Sequence, residues 1–154
     1  MYSFLYYLGK FLLLIINGPV NIEGAENLPE DKSFVLIAPH NSWLAPVFLA
    51  LGAYPKRFMF MAKKELFENK LLAWFIKKLH AFPVDRENPQ ISSIKTPIKV
   101  LKQDELNLII FPTGSRYSDE IKGGATTIAR LANRPVVPAI YQGPFSFGKL
   151  FTRQ

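Results

Sequence analysis

Phe34-Val35-Leu36-Ile37-Ala38-Pro39-His40-Asn41-Ser42-Trp43-Leu44-Ala45-Pro46 is a strand that hands over to a helix. Its first five residues form a short unbroken apolar run, the mark of a strand buried on both faces. Ser42 is a helix-capping residue type. Leu44 to Tyr54 reads as the helix, ended by Gly52 and Pro55. His40 is thereby delivered to the end of a strand. The same alternation runs down the chain. Arg57 to Ala62 reads as a strand, and Lys70 to His80 has helical spacing, with Leu71, Trp74, Phe75 and Ile76 apolar and Lys77 and Lys78 polar. Phe82-Pro83-Val84 is a short strand. Ile91 to Gln103 is a helix that Pro97 must kink or begin. Leu106 to Phe111 is a buried strand, Gly124 to Ala132 a helix and Pro135 to Ile140 a strand. Strands alternating with helices predict an α/β fold, a mixed, largely parallel sheet flanked by helices.

Composition narrows the chemistry. The 154 residues suffice for one domain with a real core, and 49% hydrophobic with 14% aromatic residues excludes disorder. The absence of cysteine excludes disulfide staples, thiolate nucleophiles and zinc–thiolate sites. The only histidines are His40 and His80, and neither falls in a cluster with metal-ligand spacing, so no metal site is expected. The net charge of +7 suits nucleic acid, anionic lipid or a phosphorylated substrate equally. The basic residues are scattered and no nucleic-acid-binding signature accompanies them, so nucleic acid is not an expected partner.

The N-terminus is strongly apolar, Phe4 to Leu8 and Phe11 to Ile16, interrupted by Gly9 and Lys10 and stopped by Asn17-Gly18-Pro19. It is shorter than the roughly 20 residues of a spanning helix and has neither the basic start nor the cleavage site of a signal peptide. Its tyrosines and Lys10 suit a helix lying in a bilayer interface. A core helix of a soluble fold is the alternative. Residues 1–18 are therefore expected as an N-terminal apolar membrane-associating helix, ahead of one domain over 19–154.

Four blocks in fixed order carry a family resemblance. His40 to Pro46 resembles a His-x-x-x-x-Asp motif with its common following proline, except that Ala45 stands in the aspartate's place. Lys63-Lys64-Glu65-Leu66, then Ala73, then Arg86 is similar to a pattern of Lys-x-x-Leu, a small residue (usually glycine) and arginine. Phe111-Pro112-Thr113-Gly114-Ser115-Arg116 resembles Phe-Pro-Glu-Gly-Thr-Arg. Gly114 and Arg116 match it, while Thr113 and Ser115 depart. Lys122-Gly123-Gly124 is similar to a Lys-x-Gly continuation, and Val137-Pro138 to a final Val-Pro. On these residues the chain resembles the 1-acylglycerol-3-phosphate (lysophosphatidate) acyltransferases.

The resemblance implies transfer of a fatty acyl group from a thioester to the free hydroxyl of lysophosphatidate, giving phosphatidate. The donor would be acyl-acyl carrier protein or acyl-CoA, with no bound cofactor, at the cytoplasmic face of the cell membrane. His40 would be the general base in direct attack, a role that needs reach and a near-neutral pKa; the bland alternative is a surface histidine. Arg86, Arg116, Gly114, Lys63 and Lys122 would hold phosphate or stabilise the carbonyl oxygen. Arg116 has a competing reading as a salt-bridge partner of Asp119 or Glu120, and Lys122 as a solvated loop lysine. Lys64 beside Lys63 leaves the register open by one. Ser42 reads as a helix cap, since no Gly-x-Ser-x-Gly elbow exists, and His80 as an ordinary helix-end residue. The resemblance also implies a C-terminally incomplete domain.

Ala45 sets the expected activity. A base histidine needs an orienter that fixes its tautomer, and here the partner position holds a methyl group. The change is an engineered inactivation, a natural pseudoenzyme's, or one offset by a carboxylate from elsewhere. The remaining blocks are functionally intact, which favours a single recent or deliberate substitution at 45. The second function class is a catalytically inactive, lipid-binding membrane-associated protein on the same scaffold.

Overall fold

The structure, a computed structural model, describes residues 4, 7–11, 21–39, 45–85, 88, 91–111 and 124–142. In chain order these contain β1 (Val35–Ile37), α1 (Ala45–Gly52), β2 (Phe58–Lys63), α2 (Lys70–Lys78), β3 (Ala81–Val84), α3 (Ser92–Lys102), β4 (Asn107–Ile110), α4 (Gly124–Ala132) and β5 (Val136–Pro138). Short 3₁₀ turns lie at Ala25–Asn27 and Lys64–Phe67. The sheet order is β3-β2-β4-β1-β5. Every pairing is parallel, so the described sheet is not the mixed one expected. Each strand returns through a helix, which permits parallel pairing throughout.

Period-two alternation along the strands sorts their side chains into two layers. Val35, Met59 and Leu108 pack with Leu101 of α3 and Ile128, Ala129 and Ala132 of α4. Phe34, Leu36, Phe58 and Ile109 point the other way, onto Ala53 with Leu49 and Ala50 of α1. Phe34 and Phe58 meet edge to face, centroids 5.8 Å apart. Both are fully buried, and burying such a ring contributes about 1.5–3 kcal/mol. The crossovers through α1 and α2 step one way across the sheet, and those through α3 and α4 step back. Right-handed connection therefore puts α1 and α2 on one face and α3 and α4 on the other, where α3 and α4 touch.

Three helix ends lack the glycine that normally marks a stop. His80 (φ 61°), Asp104 (φ 54°) and Asn133 (φ 54°) take the left-handed conformation after α2, α3 and α4. His, Asp and Asn tolerate it better than most residues. Their amides reach back to the carbonyls of Lys77, Leu101 and Arg130. The helix expected to run to His80 thus ends at Lys78. His80 Nδ1 is buried, and burial, then the Arg57 charge, lowers the imidazole pKa. Pro97 lies in the interior of α3 and is fully buried.

At the N-terminal edge of the sheet, Asn107 joins two strands to β4. Its Oδ1 accepts from the Phe34 amide at 3.1 Å and its Nδ2 donates to the Arg57 carbonyl at 3.0 Å. Arg134 Nε donates to the Leu101 carbonyl at 3.1 Å, and its terminal nitrogen lies 2.7 Å from Asp104. This satisfies carbonyls that the end of α3 leaves open. Asp104 also accepts from the Ser33 amide at 2.6 Å. That bond first, and Arg134 after it, hold the carboxyl below its ordinary range.

Residues 7–11 are helical and lie on α1. The Tyr7 ring meets Tyr54 at 5.9 Å, and Gly9 sits against Leu51. Phe4, Tyr7, Leu8 and Phe11 remain exposed. No helix among the described residues is long and apolar enough to cross a membrane.

Candidate active site

All five strands point the same way, so their C-terminal ends share one edge. Register fixes which residues meet there. Ile37 pairs with Ile110 on one side and Pro138 on the other, and Lys63 pairs with Val84. The ladder continues one step further, as Ala38 N–H donates to the Ile110 carbonyl and Ala139 N–H to the Ile37 carbonyl. His40 follows Ala38 by two positions, Arg86 follows Val84 by two, and Gly114 and Arg116 follow Phe111 by three and five. The three strands that lead into these stretches therefore end at the same edge as β2, where open parallel sheets collect their ligands. His40, Arg86, Gly114, Arg116 and Lys122 themselves lie outside the described residues.

Lys63 is the last residue of β2, with its side chain 52% exposed and its ammonium 3.4 Å from Glu65. The backbone at Glu65 itself, and then the Lys63 charge, lower the Glu65 pKa. The neighbouring lysine is committed elsewhere. Lys64 Nζ lies 2.6 Å from Asp85, whose other oxygen accepts from the Asn88 amide at 3.0 Å. Lys64 thus ties the end of β2 to the end of β3, and Lys63 stays at the edge. An exposed pair of this kind adds little stability; its effect is to fix the chain just before Arg86.

Ala45 is the first residue of α1 and is completely buried. It packs with Phe48 and Tyr141, with Phe111 against the same cluster, and the Phe48 and Tyr141 rings are 5.1 Å apart. Burial raises the Tyr141 phenol pKa. The motif position thus lies in a buried aromatic corner. Phe48 and Tyr141 escaped sequence reasoning because neither has a chemistry-bearing spacing to His40, while Phe111 was singled out only as the start of its motif block. Tyr141 is three residues past the Val137-Pro138 block, the one signal that could have drawn attention to it.

A cavity of about 180 Å³ opens at the opposite edge, lined by residues that include Asp31, Ser33, Arg57, Asp104 and Asn107. Its acids and bases are mixed and none belongs to the motif blocks. Among the described residues no group of His, Cys, Asp and Glu can hold a metal ion.

The sequence model of the acyltransferase family matches residues 19–142. The 1-acyl-sn-glycerol-3-phosphate acyltransferase of Bacillus subtilis is 49% identical over 92% of this chain and 72% of its own length. That of Streptococcus pneumoniae is 45% identical over 99% of this chain and 58% of its own length. The crystal structure of the 1-acyl-sn-glycerophosphate acyltransferase from Thermotoga maritima superposes with a TM-score of 0.68 at 28% identity, covering 88% of this chain and 55% of that one. The chain thus spans little more than half the length of two of these proteins. The parallel α/β sheet and these similarities place the chain in the acyltransferase family, alongside the 1-acyl-sn-glycerol-3-phosphate acyltransferases.

Proposed function

We propose that this chain carries the machinery for moving a fatty acyl group from an acyl thioester to the free hydroxyl of lysophosphatidate, forming phosphatidate. One observation supports this most: the strands that precede His40, Arg86, Gly114 and Arg116 in the chain end at one edge of the sheet, the edge at which β2 ends in Lys63. The relatives' names supply the substrate class. His40 would take the hydroxyl proton as that oxygen attacks the thioester carbonyl, and the thiol of the donor would leave. The arginines and Lys63 would bind the phosphate and set the acceptor's orientation. Acyl carrier protein and coenzyme A both present such a thioester, and a thiol-release assay with each donor separates them. Ala45 favours a second reading, binding without turnover, because the position that would orient His40 holds a methyl group buried among aromatic rings.

Arg116→Ala separates phosphate binding from chemistry. A hydrogen bond to a charged group contributes about 1.5–3 kcal/mol, so lysophosphatidate affinity should fall more than about tenfold even with alanine at 45. Calorimetry giving an unchanged affinity would remove Arg116 from the site.

The site is proposed to work at the cytoplasmic face of the cell membrane, with residues 2–17 lying in the bilayer interface. The exposed Phe4, Tyr7, Leu8 and Phe11 on a helix that also bears Lys10 support it. Deleting this segment should sharply reduce flotation with phospholipid vesicles. Equal flotation of the two forms would place the membrane contact elsewhere or nowhere.

A further inference from the structure

The helix α2 reads Lys-Leu-Leu-Ala-Trp-Phe-Ile-Lys-Lys, three lysines and no acid. It buries one residue, Ala73, and packs on β3 and the Lys64–Phe67 turn. Its outer side is apolar. Leu71, Trp74 and Phe75 are 78%, 58% and 44% exposed, and the spacing i, i+3, i+4 puts them on one face. The next position on that face is Lys78, whose ammonium stands 5.9 Å from the Trp74 ring centre. Large exposed apolar side chains grouped this way mark an interaction surface.

We infer that α2 is a membrane-contact helix, seating Leu71, Trp74 and Phe75 in the interface of an anionic phospholipid bilayer. Charge selects this occupant. Lys70, Lys77 and Lys78 frame the apolar face, and a Trp/Phe/Leu face with a lysine border is what an anionic interface attracts. Geometry agrees, because right-handed crossovers place α2 on the same face of the sheet as α1, where the N-terminal helix lies. Two separate patches can therefore meet one plane, and two contacts fix an orientation that one leaves free. The inference rests on the reading that this chain works at a bilayer, and adds a contact outside residues 2–17.

The chain has two tryptophans, Trp43 and Trp74, so Trp43→Phe leaves Trp74 as sole reporter. With vesicles of phosphatidylcholine and phosphatidylglycerol, Trp74 emission should shift to the blue and be quenched by brominated lipid, and with phosphatidylcholine alone less so. Leu71→Ser with Phe75→Ser should lower vesicle partitioning by about tenfold or more while the far-ultraviolet circular dichroism stays unchanged. Replacing the three lysines by glutamine should erase the preference for anionic lipid. Protein that floats with vesicles while Trp74 stays unquenched overturns the role of α2 but leaves the N-terminal contact standing. Failure to float at all overturns both. A blue shift that grows with protein concentration in the absence of lipid would assign the face to a second copy of this chain and overturn the inference.

Discussion

Replacing Ala45 by aspartate should raise thioester-to-lysophosphatidate transfer by about 10⁴-fold, the factor that a mispositioned base costs in a histidine–carboxylate pair. Position 45 lies in α1, five residues after His40 in the chain. From the sequence the change looks harmless to folding, since acids are favourable in a first helical turn. The structure revises that expectation. Ala45 is completely buried against Phe48 and Tyr141, with Phe111 nearby. A carboxylate there loses its water and must find a partner or become protonated. The variant should therefore melt at a lower temperature than the present chain and carry a carboxyl titrating above its ordinary range unless an imidazolium pairs with it. Its activity should appear only above that pKa. Thiol release measured against pH and acceptor concentration checks each part. A rise in kcat with little change in affinity identifies a role in the transition state, and His40→Ala in the Ala45→Asp chain should abolish the gain. If the aspartate chain folds and binds lysophosphatidate but releases no additional thiol, the histidine–carboxylate assignment is wrong and the binding-only reading replaces it.

The same position shows what a sequence can and cannot carry. The apolar run Phe34–Ala38 placed a strand, and the alternation of strands and helices gave the α/β class, because burial on both faces leaves a continuous hydrophobic signature. The turns at His80, Asp104 and Asn133 were harder to read, since left-handed residues other than glycine leave only a faint mark. Parallel pairing throughout and the strand order followed from long-range register, which no local pattern records. For the site, the motif blocks singled out residues of which the described part of the chain holds Lys63 and Ala45, and the strands leading toward the others end at one edge of the sheet. What surrounds them was hidden. The burial of Ala45 depends on Tyr141, ninety-six positions away in the chain, and the commitment of Lys64 depends on Asp85.

Asn107→Leu should cost about 2–3 kcal/mol of stability, within the range for stranding a buried hydrogen-bonding group. Asn107 is 7% exposed. Its side chain accepts from Phe34 N–H and donates to the Arg57 carbonyl, so one amide holds β1 and β2 to the start of β4. Leucine leaves the Phe34 amide without that acceptor beside a fully buried ring. The Arg57 carbonyl still accepts from the Asn107 amide, so the loss falls mainly on the β1 side. For a domain of this size each kcal/mol shifts the melting temperature by about 2–4 °C. Asn107→Asp tests the same geometry with a built-in control. Its carboxylate can accept from Phe34 but turns an oxygen toward the Arg57 carbonyl, which favours the protonated form and raises the folded-state pKa above the unfolded one. The folded state then binds the extra proton between the two values, so this group stabilises below the unfolded pKa and loses that contribution as pH rises through the folded one. Relative to the present chain, the aspartate variant should be markedly weaker at neutral pH and recover as the pH falls toward the ordinary carboxylate range. Chemical denaturation of the three chains across that interval decides the matter. A deficit independent of pH, or a leucine variant as stable as the present chain, would mean that Asn107 does not hold the strands in the way its two hydrogen bonds indicate.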